Sequence, residues 1–323
     1  MDDDRGRGQG FDTLGELASL EGNPLVRPVL RPGLQILRRD LTTLQLGLDW
    51  PGLAIVQETP QLRAVLQAID GFRDAPGVVL AAASSTGLER SDCDVALGAL
   101  IDCGAVVDQA DCRSPRVGEH MWSALSLLAG PERAAVDVAR CRDSAAIWVD
   151  GDGQVADRVR QLVEVAQLRG AERSSAADLV VVASDQEPPR TAIDRLMHAG
   201  VPHLWVCIRD VVGVVGPFVI PGQTSCLRCV DCARTDLDAA WPTLLASAQA
   251  RPLLVPPVDP ALGALVAAWA VLEAQVWASG IHPPTCDRVI EVPYGCGVVQ
   301  TERFDLHPQC GCGWPTWQDT IGA

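Results

Sequence analysis

The sequence predicts an α/β protein in which a small domain of short strands and helices precedes a larger domain with a parallel sheet. Short alternating apolar runs followed by helical spacing fill residues 27–112, and continuous apolar strands alternate with helices from about residue 141 onward. Two pairs of closely spaced cysteines near the end predict a metal site. We divide the chain into a flexible N-terminus (1–26), the small domain (27–112), a linker with one helix (113–140) and the large domain (141–323).

The small domain begins with three short apolar segments separated by turn residues. They are predicted as strands at 34–39, 43–48 and 53–56. The period then lengthens, which predicts helices from Pro60 to Gly71, over 76–83 and over 91–102, with a closing strand at 104–107. Three strands, three helices and a closing strand are typical of a small winged helix-turn-helix domain.

The large domain shows the alternation expected of parallel strands joined by crossover helices. The strands are predicted at 145–149, 178–183 and 203–207, a strand pair at 211–220, a long buried helix at 259–279, and two closing strands at 288–293 and 297–306. The first three strands are apolar throughout, which is typical of strands covered on both faces.

Composition excludes several functions. All 26 cationic residues are arginine, so no mechanism that needs a lysine is available, and the formal charge of −15 argues against nucleic-acid binding. The N-terminus lacks a basic and then apolar signal segment, and we find no transmembrane helix, so no membrane partner is expected. We therefore expect a cytoplasmic protein, in which clustered cysteines act as metal ligands rather than disulfides.

The cysteine spacing predicts a structural zinc ion. Cys226-Leu-Arg-Cys229 offers two thiolates from one tight turn, and Cys310-Gly-Cys312 offers two more, because glycine permits the sharp turn of the second pair. Cys232 is a rival for one ligand position. Cys296 and His307 are weaker substitutes, and scattered cysteines such as Cys207 and Cys141 are expected to be buried free thiols.

A glycine loop follows the first buried strand. Gly151-Asp-Gly153-Gln-Val-Ala156 matches the G-x-G-x-x-A pattern whose backbone N–H groups cradle a phosphate at a helix N-terminus. Asp152 is unfavourable beside a phosphate. The stretch 168–178 is too short for the second strand that should end in a ribose-binding acid, so this element is predicted to be missing.

The order of motifs over residues 120–315 resembles the ThiF/MoeB-like branch of the ubiquitin-activating-type family. The residues that carry this resemblance are the glycine loop, Ser184-Asp185-Gln186, Arg190, and Pro221 to Cys229. It implies a Rossmann-like domain, a magnesium-associated Asp185, an Arg190 near the nucleotide, a zinc site opened by Cys226 and a homodimer.

The departures from that family concern the nucleotide site. Members that adenylate a carboxylate place a lysine and Arg/Asn-rich sequence around ATP, whereas this chain has no lysine and only Asn23. We therefore interpret Gly151, Gly153, Asp185 and Arg190 as a degenerate nucleotide site, which argues against ATP binding and more strongly against adenylation.

The small domain carries a second resemblance. Arg27-Pro-Val-Leu-Arg-Pro-Gly-Leu-Gln-Ile-Leu37 and Leu44-Gln-Leu-Gly-Leu48, before three helices, resemble the leader-recognition element of the ocin-ThiF-like partner proteins of azol(in)e-forming cyclodehydratases. The resemblance implies a non-catalytic protein that binds a precursor leader as an added strand and works with a separate YcaO-type enzyme. The sheet edge expected to receive the leader consists of Leu53, Ala54, Ile55 and Val56.

Two alternatives remain open. The first is a ThiF-like adenylyltransferase that activates a carboxylate with ATP, which the missing lysine argues against. The second is a zinc-containing regulator whose winged helix binds DNA. The helix at 91–102 would then enter the major groove, but it carries Asp92, Asp94 and Asp102 and no arginine.

Overall fold

A computed structural model describes residues 27–49, 52–112, 117–131, 133–295 and 297–313. The chain divides into two compact units, with the boundary after Cys112. The predicted flexible segment 1–26 lies outside the described residues, and so do positions 113–116 and 132 of the predicted linker.

The first unit contains two small antiparallel sheets and three helices. The elements are β1 (Pro28–Leu30), β2 (Ile36–Arg38), β3 (Thr43–Leu46), β4 (Ala54–Gln57), α1 (Pro60–Ala68), α2 (Ala75–Thr86), α3 (Arg90–Asp102) and β5 (Val106–Asp108). Strands β2, β3 and β4 form one sheet in that order, while β1 pairs with β5. The three predicted strands and three helices are confirmed as elements; β1, the partner of the closing strand, was not predicted.

Local chemistry fixes the helix ends of this unit. The Thr59 side chain accepts a hydrogen bond from the Leu62 N–H and starts α1, and Asp74 does the same for α2 through the Gly77 N–H. Gly87 ends α2 with a φ of 70°, a left-handed conformation that glycine adopts readily. The inward faces of the helices pack with β3 around a buried core.

The second unit is built on a seven-stranded sheet. Its elements are α4 (Glu119–Ala129), α5 (Ala135–Ser144), β6 (Ala146–Asp150), α6 (Gln154–Val165), β7 (Arg169–Gly170), β8 (Leu179–Ser184), α7 (Arg190–His198), β9 (His203–Arg209), β10 (Val212–Val219), α8 (Leu227–Leu237), α9 (Trp241–Ala250), α10 (Pro260–Ala278), β11 (Arg288–Pro293) and β12 (Gln300–Arg303). The strand order is β12-β11-β10-β9-β8-β6-β7. Strands β7, β6, β8 and β9 pair in parallel, and β9 to β12 pair antiparallel.

Three details differ from the sequence prediction. The stretch 168–178 does hold a strand, since β7 pairs in parallel with β6, although it is only two residues long. The predicted strand pair at 211–220 is one strand, β10, whose pairing with β9 shifts register between Val215 and Phe218. Helices α5, α8 and α9 were not predicted.

Both faces of the sheet are covered, which explains why its central strands are apolar throughout. In β8, Leu179, Val181 and Ala183 enter the core beneath α6 and α10, whereas Val180 and Val182 enter the core on the opposite face with α7 and α8. Helix α10 is long and apolar enough to cross a membrane by length and composition. One of its faces, however, is buried against the sheet. A helix in the core of a domain can be equally long and apolar.

Candidate functional site

Four cysteines converge beside the first turn of α8. Cys226 is the N-cap of α8, Cys229 lies in its first turn, and Cys310 and Cys312 come from the segment after β12. The Sγ atoms of Cys226 and Cys229 are 3.9 Å apart, those of Cys226 and Cys310 are 3.5 Å apart, and those of Cys229 and Cys312 are 3.3 Å apart. All four sulfur atoms lie within 4.8 Å of one another. The group can therefore hold a metal ion.

The spacing agrees with the geometry that a four-thiolate site requires. Four sulfur atoms at about 2.3 Å from a tetrahedral zinc ion are separated by roughly 3.8 Å. The Cys226–Cys229 distance of 3.9 Å matches that value, while the other two, 3.5 and 3.3 Å, are somewhat shorter. Gly311, between the second pair, has a φ of 75°, which allows the tight turn that brings Cys310 and Cys312 together.

The electrostatics of the cluster favour a thiolate at Cys229. The Cys226 thiol donates a hydrogen bond to the Cys229 sulfur, and the backbone N–H of His307 donates another at 3.3 Å, which lowers the pKa of Cys229 to about 5. The hydrogen bond that the Cys226 thiol donates to Cys229, together with burial, raises the pKa of Cys226. Burial raises the pKa of Cys312 to about 12. A bound cation would replace these thiol protons, because metals bind the thiolate form.

The other residues considered as metal ligands are not part of this four-cysteine group. Among the described residues, the metal-binding group contains only the four cysteines, so Cys232 is not part of it. The His307 imidazole lies 3.0 Å from a carboxylate oxygen of Asp236, so this residue contributes to the cluster through its backbone N–H. Cys296 lies outside the described residues.

The glycine loop makes a close approach to the end of β8. Gly151 has a φ of 116°, and a Cβ there would clash with the Ala183 carbonyl oxygen. Gly153 has a φ of 104°, and a Cβ there would lie 2.5 Å from a carboxylate oxygen of Asp185. The loop therefore needs glycine at both positions.

The Asp185 carboxylate lies on the N-terminus of α6. One of its oxygens accepts a hydrogen bond of 2.9 Å from the Gln154 N–H, and the other accepts one of 2.8 Å from the Val155 N–H. These are the groups that cradle a phosphate in nucleotide-binding loops, because the first N–H groups of a helix have no partner within it. Asp185 thus places a carboxylate where such a loop holds its anion.

Arg190, the fourth predicted nucleotide residue, is held elsewhere. Its guanidinium makes two hydrogen bonds of 2.7 and 2.9 Å to the Asp231 carboxylate and an ion pair of 2.6 Å with Glu187, and it stacks 5.1 Å from the Trp205 ring centre. Burial by itself lowers the pKa of Arg190, but the bond to Asp231 and the charge of Glu187 outweigh it, so the pKa is raised. Gly151, Gly153 and Asp185 are therefore brought together, while Arg190 is engaged with α8.

The contacts of Arg190 belong to a network that was not predicted from the sequence. Arg209 reaches both Glu187 and Glu291, and Arg234 lies 3.0 Å from Glu291. The network ties α7 and α8 to β9 and β11. Only the Glu187–Arg190 spacing of three residues was visible in the sequence, since the other partners lie far apart along the chain.

The predicted peptide-binding edge is a sheet edge in the first unit. Within the part of the chain that the structure describes, β4 pairs only with β3, and Leu53, just before it, donates to the Leu46 carbonyl. The Glu58 N–H donates a hydrogen bond to the Thr42 carbonyl. Along an antiparallel pair of strands, residues whose backbone groups point toward the partner strand alternate with residues whose groups point away from it. Counting back from Glu58, the N–H and C=O of Ile55 point away from β3. No hydrogen bond joins these two groups to another described backbone segment. Ala54 and Val56 pack on the core, whereas Ile55 is 38% exposed.

Comparisons with known proteins find similar folds among solved structures. No protein-family model and no curated protein matches the chain. Among solved structures, the heterocyclase TruD matches with a TM-score of 0.67 and 17% identity, covering 89% of this chain and 43% of its own. A heterocyclase in complex with substrate and cofactor matches with a TM-score of 0.66 and 15% identity, covering 89% of this chain and 39% of its own. MccB of E. coli matches with a TM-score of 0.62 and 13% identity, covering 88% of this chain and 96% of its own.

The chain shares their fold. Because all of these identities are below 20%, the likeness concerns architecture alone. The chain spans less than half the length of the heterocyclase chains that it matches.

Proposed function

We propose that this chain is a non-catalytic partner protein that binds the leader of a ribosomal precursor peptide and delivers it to a separate YcaO-type cyclodehydratase for azol(in)e formation. The observation that carries the proposal is the edge of β4 that no described strand covers, in a chain that shares the fold of a heterocyclase over 89% of its length. The match covers 43% of the TruD chain.

The edge supplies what a peptide strand needs. The outward N–H and C=O of Ile55 would bond the backbone of an added strand, as in other cases of strand addition to a sheet edge. Backbone bonds of this kind give affinity, and pockets for alternate side chains give selectivity. Ile55 is the exposed apolar side chain at the centre of this edge.

The glycine loop supports the non-catalytic part of the proposal. MccB has been solved with ATP, so the fold can hold a nucleotide. In this chain, the two N–H groups that would meet a phosphate are bonded to Asp185, and a second carboxylate, Asp152, lies within the loop. A phosphate there would have to displace one carboxylate and approach another, and no lysine is present to offset the charge.

We assign zinc to the four-cysteine group, with a structural role. All four positions are filled by cysteine, which is typical of closed structural sites, whereas catalytic zinc keeps one position open. The ion would join the first turn of α8 to the segment after β12, which are about 80 residues apart in sequence.

We further propose that two copies of the chain pair through α10. Ala261, Leu265, Ala268 and Leu272 follow the helix at spacings of four, three and four residues on the face away from the sheet, and Leu265 and Leu272 are 48% and 59% exposed. In an antiparallel pair, each leucine of this stripe would face an alanine: Leu265 would meet Ala268 of the second copy, and Leu272 would meet Ala261. A two-fold interface requires such self-complementarity.

Leader binding is tested by fluorescence polarisation with labelled precursor peptides encoded beside this gene. Ile55→Pro removes the outward N–H without breaking the ladder to β3, so we expect affinity to fall about tenfold or more. Ile55→Thr keeps the N–H and is the matched control, with affinity near that of the unchanged protein. Thermal melts check that both variants fold. If no neighbouring precursor binds, or if Ile55→Pro binds as well as Ile55→Thr, the proposed edge is wrong.

A further inference from the structure

A cavity of about 260 Å³ lies within the second unit, between α4, α5 and the C-terminal end of α6. Its described lining has an apolar part, including Val117, Met121 and Leu125, and a polar part that contains Arg142 and Gln167. Neither the metal site nor the glycine loop contributes to it. The cavity is near the lower end of the size range of small-molecule sites.

Arg142 is unusual among the arginines of this unit. The residue is only 9% exposed, and its Nε donates a hydrogen bond of 2.8 Å to the Ser279 hydroxyl at the C-terminus of α10. No carboxylate of the described residues forms an ion pair with it, and its terminal nitrogens bond no described residue. Arg190, Arg209 and Arg234 each face a carboxylate.

The guanidinium of Arg142 is largely withdrawn from bulk water, while its terminal N–H groups stay open to the cavity, and this arrangement favours an anion there. Taking a cation out of water is costly unless a counter-charge and hydrogen bonds replace the lost hydration. The Ser279 hydroxyl satisfies Nε and the partial negative charge of the α10 C-terminus lies nearby. The two terminal nitrogens of Arg142 are the donors left for a ligand, and a planar carboxylate matches them because it can accept two parallel hydrogen bonds.

We propose that this cavity binds a small monocarboxylate with a short apolar chain. The carboxylate would lie on Arg142, with the Gln167 amide as a second donor, since no described residue bonds that side chain. The apolar chain would lie on Met121 and Leu125. A dianion such as phosphate lacks the apolar part that Met121 and Leu125 would contact.

The test uses the full chain and isovalerate as the probe, with binding followed by calorimetry and by the melting temperature. We expect isovalerate to bind saturably, and 3-methylbutan-1-ol, which has the same skeleton without the charge, not to bind. Inorganic phosphate serves as the dianion and should bind more weakly than isovalerate. N-acetyl-leucine presents the same carboxylate as a peptide C-terminus, so its binding alongside isovalerate would show that the site also admits peptide ends, and its failure would restrict the site to free acids.

Two variants and one control make the assignment specific. Arg142→Gln should weaken isovalerate binding about tenfold or more, because it removes a charge-assisted pair. Gln167→Glu, at an exposed position where folding is not at risk, should also weaken it by adding a negative charge. Arg140→Gln is the control, since that side chain lies two residues earlier in α5, is 73% exposed and pairs with Asp137.

The result that overturns the proposal is equally definite. Absence of saturable isovalerate binding to the unchanged protein, equal binding of the uncharged alcohol, or an unchanged affinity in Gln167→Glu would each exclude this site. Leader binding at β4 is measured separately, so the two proposals fail or succeed independently.

Discussion

The carboxylate of Asp185 accepts a hydrogen bond of 2.8 Å from the backbone N–H of Val155, thirty residues earlier in the chain. A second bond of 2.9 Å from Gln154 completes the arrangement. Asp185, directly after β8, thereby caps the N-terminus of α6 with its own carboxylate. Where phosphate-binding loops leave these N–H groups for a ligand, this loop has satisfied them within the protein.

Replacing Asp185 should open an anion site. Asp185→Ala removes the cap, so we expect a loss of about 1 kcal/mol in the free energy of unfolding. We also expect phosphate to raise the melting temperature of this variant but not of the unchanged protein, because the α6 N–H groups become available. Asp157→Ala, also in the first turn of α6 but exposed, is the control. Equal stabilisation of the unchanged protein by phosphate would contradict this prediction.

Metal binding should depend on pH in a defined direction. The pKa values of Cys226 and Cys312 are raised, so both thiols carry protons at neutral pH without metal and must release them to bind it. Cys229, with a pKa of about 5, is already a thiolate. Zinc affinity should therefore rise about a hundredfold or more for each pH unit across the neutral range. Competition with a chromophoric chelator at pH 6.5 and 7.5 measures the slope, and a flat response would argue against thiol ligands.

Removal of one ligand should release the metal. We expect about one zinc ion per chain by metal analysis, and less in Cys312→Ser, whose melting temperature should fall because the segment after β12 is no longer held to α8. Cys232→Ser is the control, since Cys232 lies outside the four-cysteine group. Loss of zinc in the control and retention in Cys312→Ser would reverse the ligand assignment.

The glycine loop should not tolerate a side chain. Gly151→Ala would place a Cβ against the Ala183 carbonyl at a φ of 116°, so we expect a loss of about 3 kcal/mol or more in the free energy of unfolding. Gly170→Ala, in β7, meets nothing within 4 Å and should change stability little. Urea unfolding of both variants makes the comparison, and similar midpoints would show that the loop can move away from β8.

Pairing through α10 should respond to charge. Leu265→Glu and Ala268→Arg should each convert a dimer into a monomer by light scattering, because each buries an unpaired charge. The double variant should restore the dimer, since the introduced carboxylate of one copy would face the introduced guanidinium of the other only in the antiparallel register. Leu244→Glu, at a similarly exposed leucine in α9, is the control. A monomeric unchanged protein, or a dimeric Leu265→Glu variant, would exclude this interface.

Local patterns were sufficient for much of the fold. The apolar runs that became β6, β8 and β9, the helical spacing of α1 and the cysteine spacing at Cys226 and Cys229 all depend on residues within one short window. For β7, prediction failed because the window was too short. Two residues of β7 carry no period, and their strand conformation comes from pairing with β6.

The sequence by itself determined the order of the central strands β6, β8 and β9, the glycine loop and the types of side chain available for a metal. Only the tertiary structure decided that Asp185 would cap α6, that Arg190 would turn to Asp231, and that Arg142 would be buried without a carboxylate partner among the described residues. The physical reason is that local conformation follows from periodicity and steric preference, whereas a contact across thirty or more residues is chosen by how the packed sheet and helices bring distant charges together.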